Sequence, residues 1–210
     1  MKAKKIKQEV DPSTEEKIKN AARIMFHKKG FAATRTRDIA EEAGINLALL
    51  NYYFRSKEKL FDIIMLESMQ SFLQSVAMLL NNQDSTWDEK IELFVSNYID
   101  FLMKEPDLPL FVLSELRSNP SSLISKMNMK QLLMKSNFIK QFKEEIKKGK
   151  MAPVHPLHFL MNTVAMIIFP FIGRPIVSNI GDLKDHEFIE LMQQRKKLIP
   201  QWIKMMYKPK

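Results

Sequence analysis

The sequence predicts an all-α protein: three short helices, a long connecting helix, and a helical bundle behind it. Three observations lead there. Apolar residues recur at intervals of three and four through most of the chain, the spacing of amphipathic helices. Glycine occurs 5 times and methionine 15 times in 210 residues; helix interiors disfavour glycine, whereas methionine forms helix well and fills irregular cores. No segment alternates apolar and polar residues as a half-buried strand would.

The elements follow in order. Residues 1–12 are polar and lysine-rich and read as a basic arm. Ser13-Thr14-Glu15-Glu16 has the form of a capping box, with Ser13 at the N-cap and Glu16 three residues on. Behind it Ile18, Ala21, Ala22, Met25 and Phe26 form one helical face, and Gly30 closes the helix. A shorter helix follows, capped by Thr34 or Thr36, with Ile39, Ala40 and Ala43 as its apolar face and Gly44 as its stop. A third starts at the N-cap Asn46 and ends near Phe54. A fourth begins at Ser56 and runs to about Leu80. Two helices joined by a turn as tight as Ala43-Gly44-Ile45-Asn46 make a helix-turn-helix. We therefore divide the chain into an arm (1–12), a helix-turn-helix domain (13–56) and a helical domain (57–210), of which 57–80 is the connecting helix.

In the third helix Leu50 and Phe54 are four residues apart and face one way, toward Ile39, Ala43 and Phe26. The other side then presents Ala48, Asn51 and Tyr52, flanked by Leu47, Leu49 and Tyr53. Such a surface is largely uncharged but shaped. Asparagine can pair with adenine through two hydrogen bonds, and small apolar side chains can lie on thymine methyls. Arg35, Arg37, Arg55 and Lys57 put positive charge at its edges, where phosphates would run. The net charge of +9 favours a polyanionic partner.

The run Gly30–Phe61, "GFAATRTRDIAEEAGINLALLNYYFRSKEKLF", resembles the DNA-binding signature of the TetR family of bacterial transcriptional regulators: Gly-aromatic, Thr-rich residues, Asp-Ile-Ala, an Ala-Gly turn, a short helix ending in aromatic-Phe, then Ser-Lys-Glu. The resemblance implies that Thr36 contacts phosphate and that Asn46, Leu47, Ala48, Leu49 and Asn51 approach bases or the adjacent backbone. It implies that Tyr52 and Tyr53 touch phosphates and that Lys57 meets the DNA backbone at the start of the fourth helix. Leu47 stands where lysine or glutamine is common, Ala48 where glycine is, and Asn51 where tyrosine is. The operator therefore does not transfer from any relative.

By the same resemblance the remainder is an effector-binding and dimerisation domain, and the partners are double-stranded DNA with a palindromic operator, a small-molecule effector, and a second copy of the chain. The expected activity is a dimeric repressor released by a small, largely apolar ligand. The helices read after residue 84 are 86–106, 108–120, a long one over 121–150, an apolar one over 155–169 and a last one over 186–208 that Pro200 kinks or breaks; 173–184 reads as a loop. The 155–169 segment is apolar on nearly every face, the mark of a buried helix. Candidate pocket residues are Phe94, Tyr98, Phe101, Leu102, Phe111, Leu116, Met134, Phe138, Phe159, Met166 and Phe169. Candidate interface residues are Leu160, Val164, Ile168, Phe188, Leu191, Met192, Leu198 and Trp202.

Other functions are disfavoured. The chain has no cysteine, so thiolate chemistry and disulfides are excluded. No phosphate-binding glycine loop, nucleophile elbow or zincin motif occurs, and we expect no enzyme and no cofactor. His155 with His158, and Asp182 with His186 and Glu190, lack the further ligands a metal site needs. The longest apolar run, 159–173, is too short for the roughly 20 residues of a bilayer span, so we expect a cytoplasmic protein without membrane contact. The alternative is a non-specific basic nucleic-acid-binding protein, which the uncharged reading surface argues against.

Overall fold

The computed structural model describes residues 12–127 and 129–209, and all regular structure there is helical. The twelve helices among the described residues are α1 (Pro12–Ala33), α2 (Thr36–Glu42), α3 (Leu47–Phe54), α4 (Lys57–Asn81), α5 (Trp87–Lys104), α6 (Leu108–Ser118), α7 (Pro120–Met127), α8 (Met129–Met134), α9 (Asn137–Lys147), α10 (Pro156–Ile172), α11 (Arg174–Ile180) and α12 (Asp185–Met206). Nearly all of the expected basic arm lies outside the described residues. The chain divides into two compact units after Ser68, later than the expected boundary at residue 56. The reason is the first half of α4, whose Leu60, Ile64 and Met65 are buried and which belongs with α1–α3.

In the first unit α1 buries Ile18, Ala21, Ala22, Met25 and Phe26, α2 buries Ile39 and Ala40, and α3 buries Leu50 and Phe54. The helical path of α1 breaks at Gly30, whose φ of 75° and ψ of 162° suit glycine and not a side-chain-bearing residue. Phe31, just past the break, meets Phe61 at 4.5 Å and Phe26 at 5.7 Å between ring centroids. A charged clasp holds α1 to α4: Glu67 accepts from Lys19 Nζ at 2.8 Å and from Arg23 Nη2 at 2.7 Å. Burial works against the Lys19 charge, but its hydrogen bonds and attraction to Glu67 and Glu16 hold its pKa above the usual lysine value.

In the second unit α5 and α12 make the most extensive helix pair. The core is aromatic at one end: Trp87 stacks on Phe138 at 4.3 Å, and Phe142 and Phe159 complete the cluster at 5.5 Å from each other. Lys90 is wholly buried. Its ammonium donates to the carbonyls of Asn82 (2.6 Å) and Ser85 (2.7 Å), tying down the α4–α5 connection. A lysine in a helical pattern reads as a solvated residue, so this role is invisible to spacing.

Several expected elements differ. The single helix expected over 121–150 is three, α7, α8 and α9, and Ser136 separates the last two: its hydroxyl donates to Leu133 O and accepts from Ile139 N–H, capping α9. The loop over 173–184 contains α11, with Pro175 in its first turn, the helical position where proline is tolerated. Neither Thr34 nor Thr36 caps α2. The Thr34 hydroxyl is buried and donates to Gly30 O and Met25 O. Asp38 instead reaches back to the Arg35 N–H.

Two prolines sit inside helices without ending them, Pro170 in α10 and Pro200 in α12. Proline has no N–H, so Pro170 leaves the Met166 carbonyl without its helical donor. Arg195 of α12 supplies one, with Nη2 at 2.6 Å from Met166 O and the guanidinium over the Trp202 ring. Arg195→Leu is expected to cost about 1–2 kcal/mol, the value of a hydrogen bond to a half-buried carbonyl. In a Pro170→Ala background the loss should shrink, since the substituted alanine regains a backbone N–H that can serve Met166 O. Equal losses in the two backgrounds, measured by urea unfolding, would rule this pairing out.

Among the described residues α4 is the one helix long and apolar enough to cross a bilayer, while α10 and α11 together would pass only as a pair bent by 72°. In the sequence, Asp62 and Glu67 interrupt the apolar run of α4, so it does not stand out there. Its apolar character is accounted for by residues that it buries in each unit, Leu60 and Ile64 in the first, Val76 and Leu80 in the second.

Candidate DNA-reading face and effector cavity

The turn between α2 and α3 is set by Gly44 at φ 66°. Ile45 N–H returns to Ala40 O at 3.0 Å, and the Asn46 side chain accepts from Leu49 N–H at 2.8 Å, starting α3. Leu50 and Phe54 are 0% and 4% exposed, so they anchor α3 inward. Ala48, Asn51 and Tyr52 are exposed on the other side, with Leu47, Leu49 and Tyr53 half-buried beside them. Arg35, Arg37 and Arg55 are exposed and Thr36 is half-buried. All eleven expected DNA-contact residues are exposed or half-buried.

Lys57 also has partners within the unit. Its ammonium donates to Phe31 O at 2.8 Å and Thr34 O at 3.0 Å, and it lies 4.2 Å from the centre of the Phe31 ring. It closes the C-terminal end of α1, where free carbonyls carry partial negative charge. Lys57 thus has a structural role in this unit.

Asp38 holds the start of the α2–α3 pair. Its carboxylate accepts from Arg35 N–H at 3.0 Å and pairs with Lys29 at 3.1 Å. The backbone hydrogen bond first, and the Lys29 contact second, keep its pKa below the usual aspartate value. A carboxylate with a depressed folded-state pKa contributes stability above its unfolded pKa and loses it as pH falls through the folded value. Asp38→Asn should therefore flatten the decline in helical content below about pH 4, the unfolded aspartate value, in a circular-dichroism acid titration. An unchanged acid limb would show that Asp38 is not part of that decline.

The second unit contains a cavity of about 300 Å³. Its walls are Met69, Phe72, Leu73 and Val76 of α4; Phe94, Tyr98, Phe101 and Leu102 of α5; Leu108, Pro109, Val112, Leu113 and Leu116 of α6; Met127, Leu133; and Leu160, Val164, Ile168 and Ile172 of α10. Phe72 stacks on Phe101 at 4.3 Å with the rings 2° from parallel, and lies 4.6 Å from Tyr98. Burial pushes the Tyr98 hydroxyl pKa far up.

Of the expected pocket residues, Phe94, Tyr98, Phe101, Leu102 and Leu116 line this cavity. Phe138 and Phe159 instead pack in the Trp87 cluster. Phe111 is buried away from the cavity, Met166 packs partly buried against the core, Met134 is 49% exposed and Phe169 is 65% exposed. The interface expectation shifts likewise. Leu160, Val164 and Ile168 face the cavity. Phe188 and Met192 are 3% and 1% exposed within their own core, so they are closed to a partner. Leu191, Leu198 and Trp202 are half-buried. The exposed apolar side of α10 is Leu157, Met161, Ala165 and Phe169, each four residues from the next. A helix apolar all round has no periodicity by which to tell its cavity face from its outer face, which is why the two were exchanged.

The histidine pair is also explained. His155 is the N-cap of α10, its Nδ1 accepting from Leu157 N–H at 3.2 Å. Among the described residues no three His, Asp or Glu side chains come together as a metal site.

Residues 18–64, which span most of α1, all of α2 and α3 and the start of α4, match the family model described as bacterial regulatory proteins, tetR family. That stretch carries the DNA-binding domain of the TetR family. It is 28% identical over 179 residues to "Probable HTH-type transcriptional regulator YttP" of Bacillus subtilis (strain 168), covering 83% of this chain and 85% of that one. It is 27% identical over 146 residues to HTH-type transcriptional regulator RutR of Escherichia coli (strain K12), covering 68% and 66%. Among solved structures, a TetR/AcrR-family regulator from Thermobifida fusca YX-ER1 superposes with a TM-score of 0.66 at 17% identity, over 90% of this chain and 97% of that chain. Bacillus subtilis FadR, solved in complex with stearoyl-CoA, does so at 0.54 and 19%, over 88% and 96%. The chain thus has a TetR-type DNA-binding helix-turn-helix unit, followed in sequence by a helical unit, and is similar over most of its length to transcriptional regulators.

Proposed function

We propose that this regulator is a dimeric repressor, held on a palindromic operator and released by a small, largely apolar ligand in the cytoplasm. The observation that carries the reading is the 300 Å³ cavity, walled by apolar side chains from α4, α5, α6 and α10. Cores close such space, because empty volume forfeits contacts, so a persistent cavity of this size suits a ligand. The exposed stripe of Leu157, Met161 and Phe169 supports a second copy as partner on α10, where apolar residues otherwise meet water. A two-fold dimer would set two α3 helices about 34 Å apart on DNA and so require a palindrome. Ala48, Asn51 and Tyr52 would read bases and flanking phosphates, with Arg35, Thr36 and Arg37 on the backbone.

The test is fluorescence anisotropy at about 150 mM salt, using duplexes that tile the DNA upstream of the protein's own gene against scrambled duplexes of equal length. One palindromic tile should bind at least 100-fold more tightly than the scrambled ones. Asn51→Ala and Tyr52→Ala should each weaken that tile by about 1–3 kcal/mol while leaving scrambled binding unchanged. Equal binding to every duplex, steeply dependent on salt, would favour the non-specific basic binder instead.

A further inference from the structure

The cavity has one polar side chain among its described walls, and that side chain is unusual. Tyr98 stands on α5 among Phe72, Phe94 and Phe101, with Phe72 at 4.6 Å and Phe94 at 5.6 Å between ring centroids. Among the described residues its hydroxyl has no hydrogen-bond partner, although a buried tyrosine O–H ordinarily finds one. No charged side chain stands among the described wall residues. Tyr98 is half-buried, and a cavity-wall hydroxyl with no protein partner is open to whatever enters, whereas a phenylalanine would fill the same ring position and offer no hydrogen bond.

We infer that Tyr98 selects the effector: the cavity takes a neutral, largely apolar molecule with a single uncharged oxygen, and the Tyr98 hydroxyl is its hydrogen-bond partner. The inference rests on the effector reading of the cavity and adds the class of ligand. An anion or a cation entering the space would lose its hydration with no countercharge on the described walls, a penalty far larger than one hydrogen bond returns. A hydrocarbon fits the walls but leaves the hydroxyl unpaired. A ketone, ester, ether or alcohol of the same shape satisfies it. About 300 Å³ corresponds to some ten water volumes, room for a molecule of the size of a substituted naphthalene.

The experiment uses the full chain without DNA and four probes of nearly one shape: 2-acetylnaphthalene, 2-ethylnaphthalene, 2-naphthoate and (2-naphthyl)trimethylammonium. Binding is measured by titration of naphthalene fluorescence, and melting temperature is followed in parallel. The ketone should bind at least 5-fold more tightly than the hydrocarbon, and each ion at least 100-fold more weakly than the ketone. Tyr98→Phe should abolish the preference of ketone over hydrocarbon while leaving the hydrocarbon affinity within 2-fold. Val164→Trp, which fills the cavity from α10, should weaken both neutral probes, placing them in this space. If ketone and hydrocarbon bind equally, or Tyr98→Phe leaves their ratio unchanged, the role of Tyr98 is overturned and the effector cavity stands. If 2-naphthoate or the ammonium binds as well as the ketone, the neutral class is overturned. If no probe binds, or Val164→Trp leaves binding intact, the effector reading of the cavity falls together with the inference.

Discussion

Phe142→Ala should lower the unfolding free energy by about 3–5 kcal/mol, the usual loss for an aromatic ring removed from a packed core. Phe142 is 1% exposed, with its ring centroid 5.5 Å from those of both Trp87 and Phe159. Deleting it opens a void that the neighbouring rings, each held by other partners, cannot close. The chain has 2 tryptophans, so Trp202→Phe leaves Trp87 alone, and in that background the emission of Trp87 should shift to longer wavelength as water reaches it. Phe169→Ala is the control: that ring is 65% exposed, and its removal should change stability by no more than about 0.5 kcal/mol. Similar losses from the two substitutions, in urea unfolding with an unchanged slope, would mean that the aromatic cluster is not the core of the second unit.

Leu50→Ala should cost about 2–5 kcal/mol, and it should abolish DNA binding although Leu50 cannot touch DNA. The side chain is 0% exposed. It is half of the pair, with Phe54, that seats α3 against the rest of the first unit. An eight-residue helix is too short to persist without such packing. Losing that anchor frees the reading face from its register. Hydrogen exchange at α3 amides should rise by the same free energy as the loss in stability. If Leu50→Ala binds operator normally and melts normally, the inward assignment of this face is wrong.

The first unit was largely legible in the sequence because its determinants are local. Gly44 marks the turn, the four-residue interval from Leu50 to Phe54 marks the inner face, and what remains is the outer one. What spacing could not show there was set by longer-range partners. Lys57 serves carbonyls 23 and 26 residues earlier, and no spacing rule anticipates that. The second unit was legible as helices and poorly legible as surfaces. Ser136 lies in a continuous amphipathic pattern, so its capping role emerged only from the Ile139 hydrogen bond. Pro170 reads as a breaker, and it is accommodated because Arg195, far along the chain on α12, replaces the missing donor. Part of the cavity wall comes from α4, which reads in sequence as a connector.

The division of labour within α3 bears on how such a regulator can diverge. Leu50 and Phe54 hold the helix, whereas Ala48 and Asn51 face away from the core and are not needed to keep it seated. A change at either outward position is therefore nearly silent in thermal stability. Repeated duplication of a gene for this chain can then explore new operators without first passing through misfolded intermediates. A library randomised at Ala48 and Asn51 alone should consist mostly of well-folded proteins that differ in what they recognise.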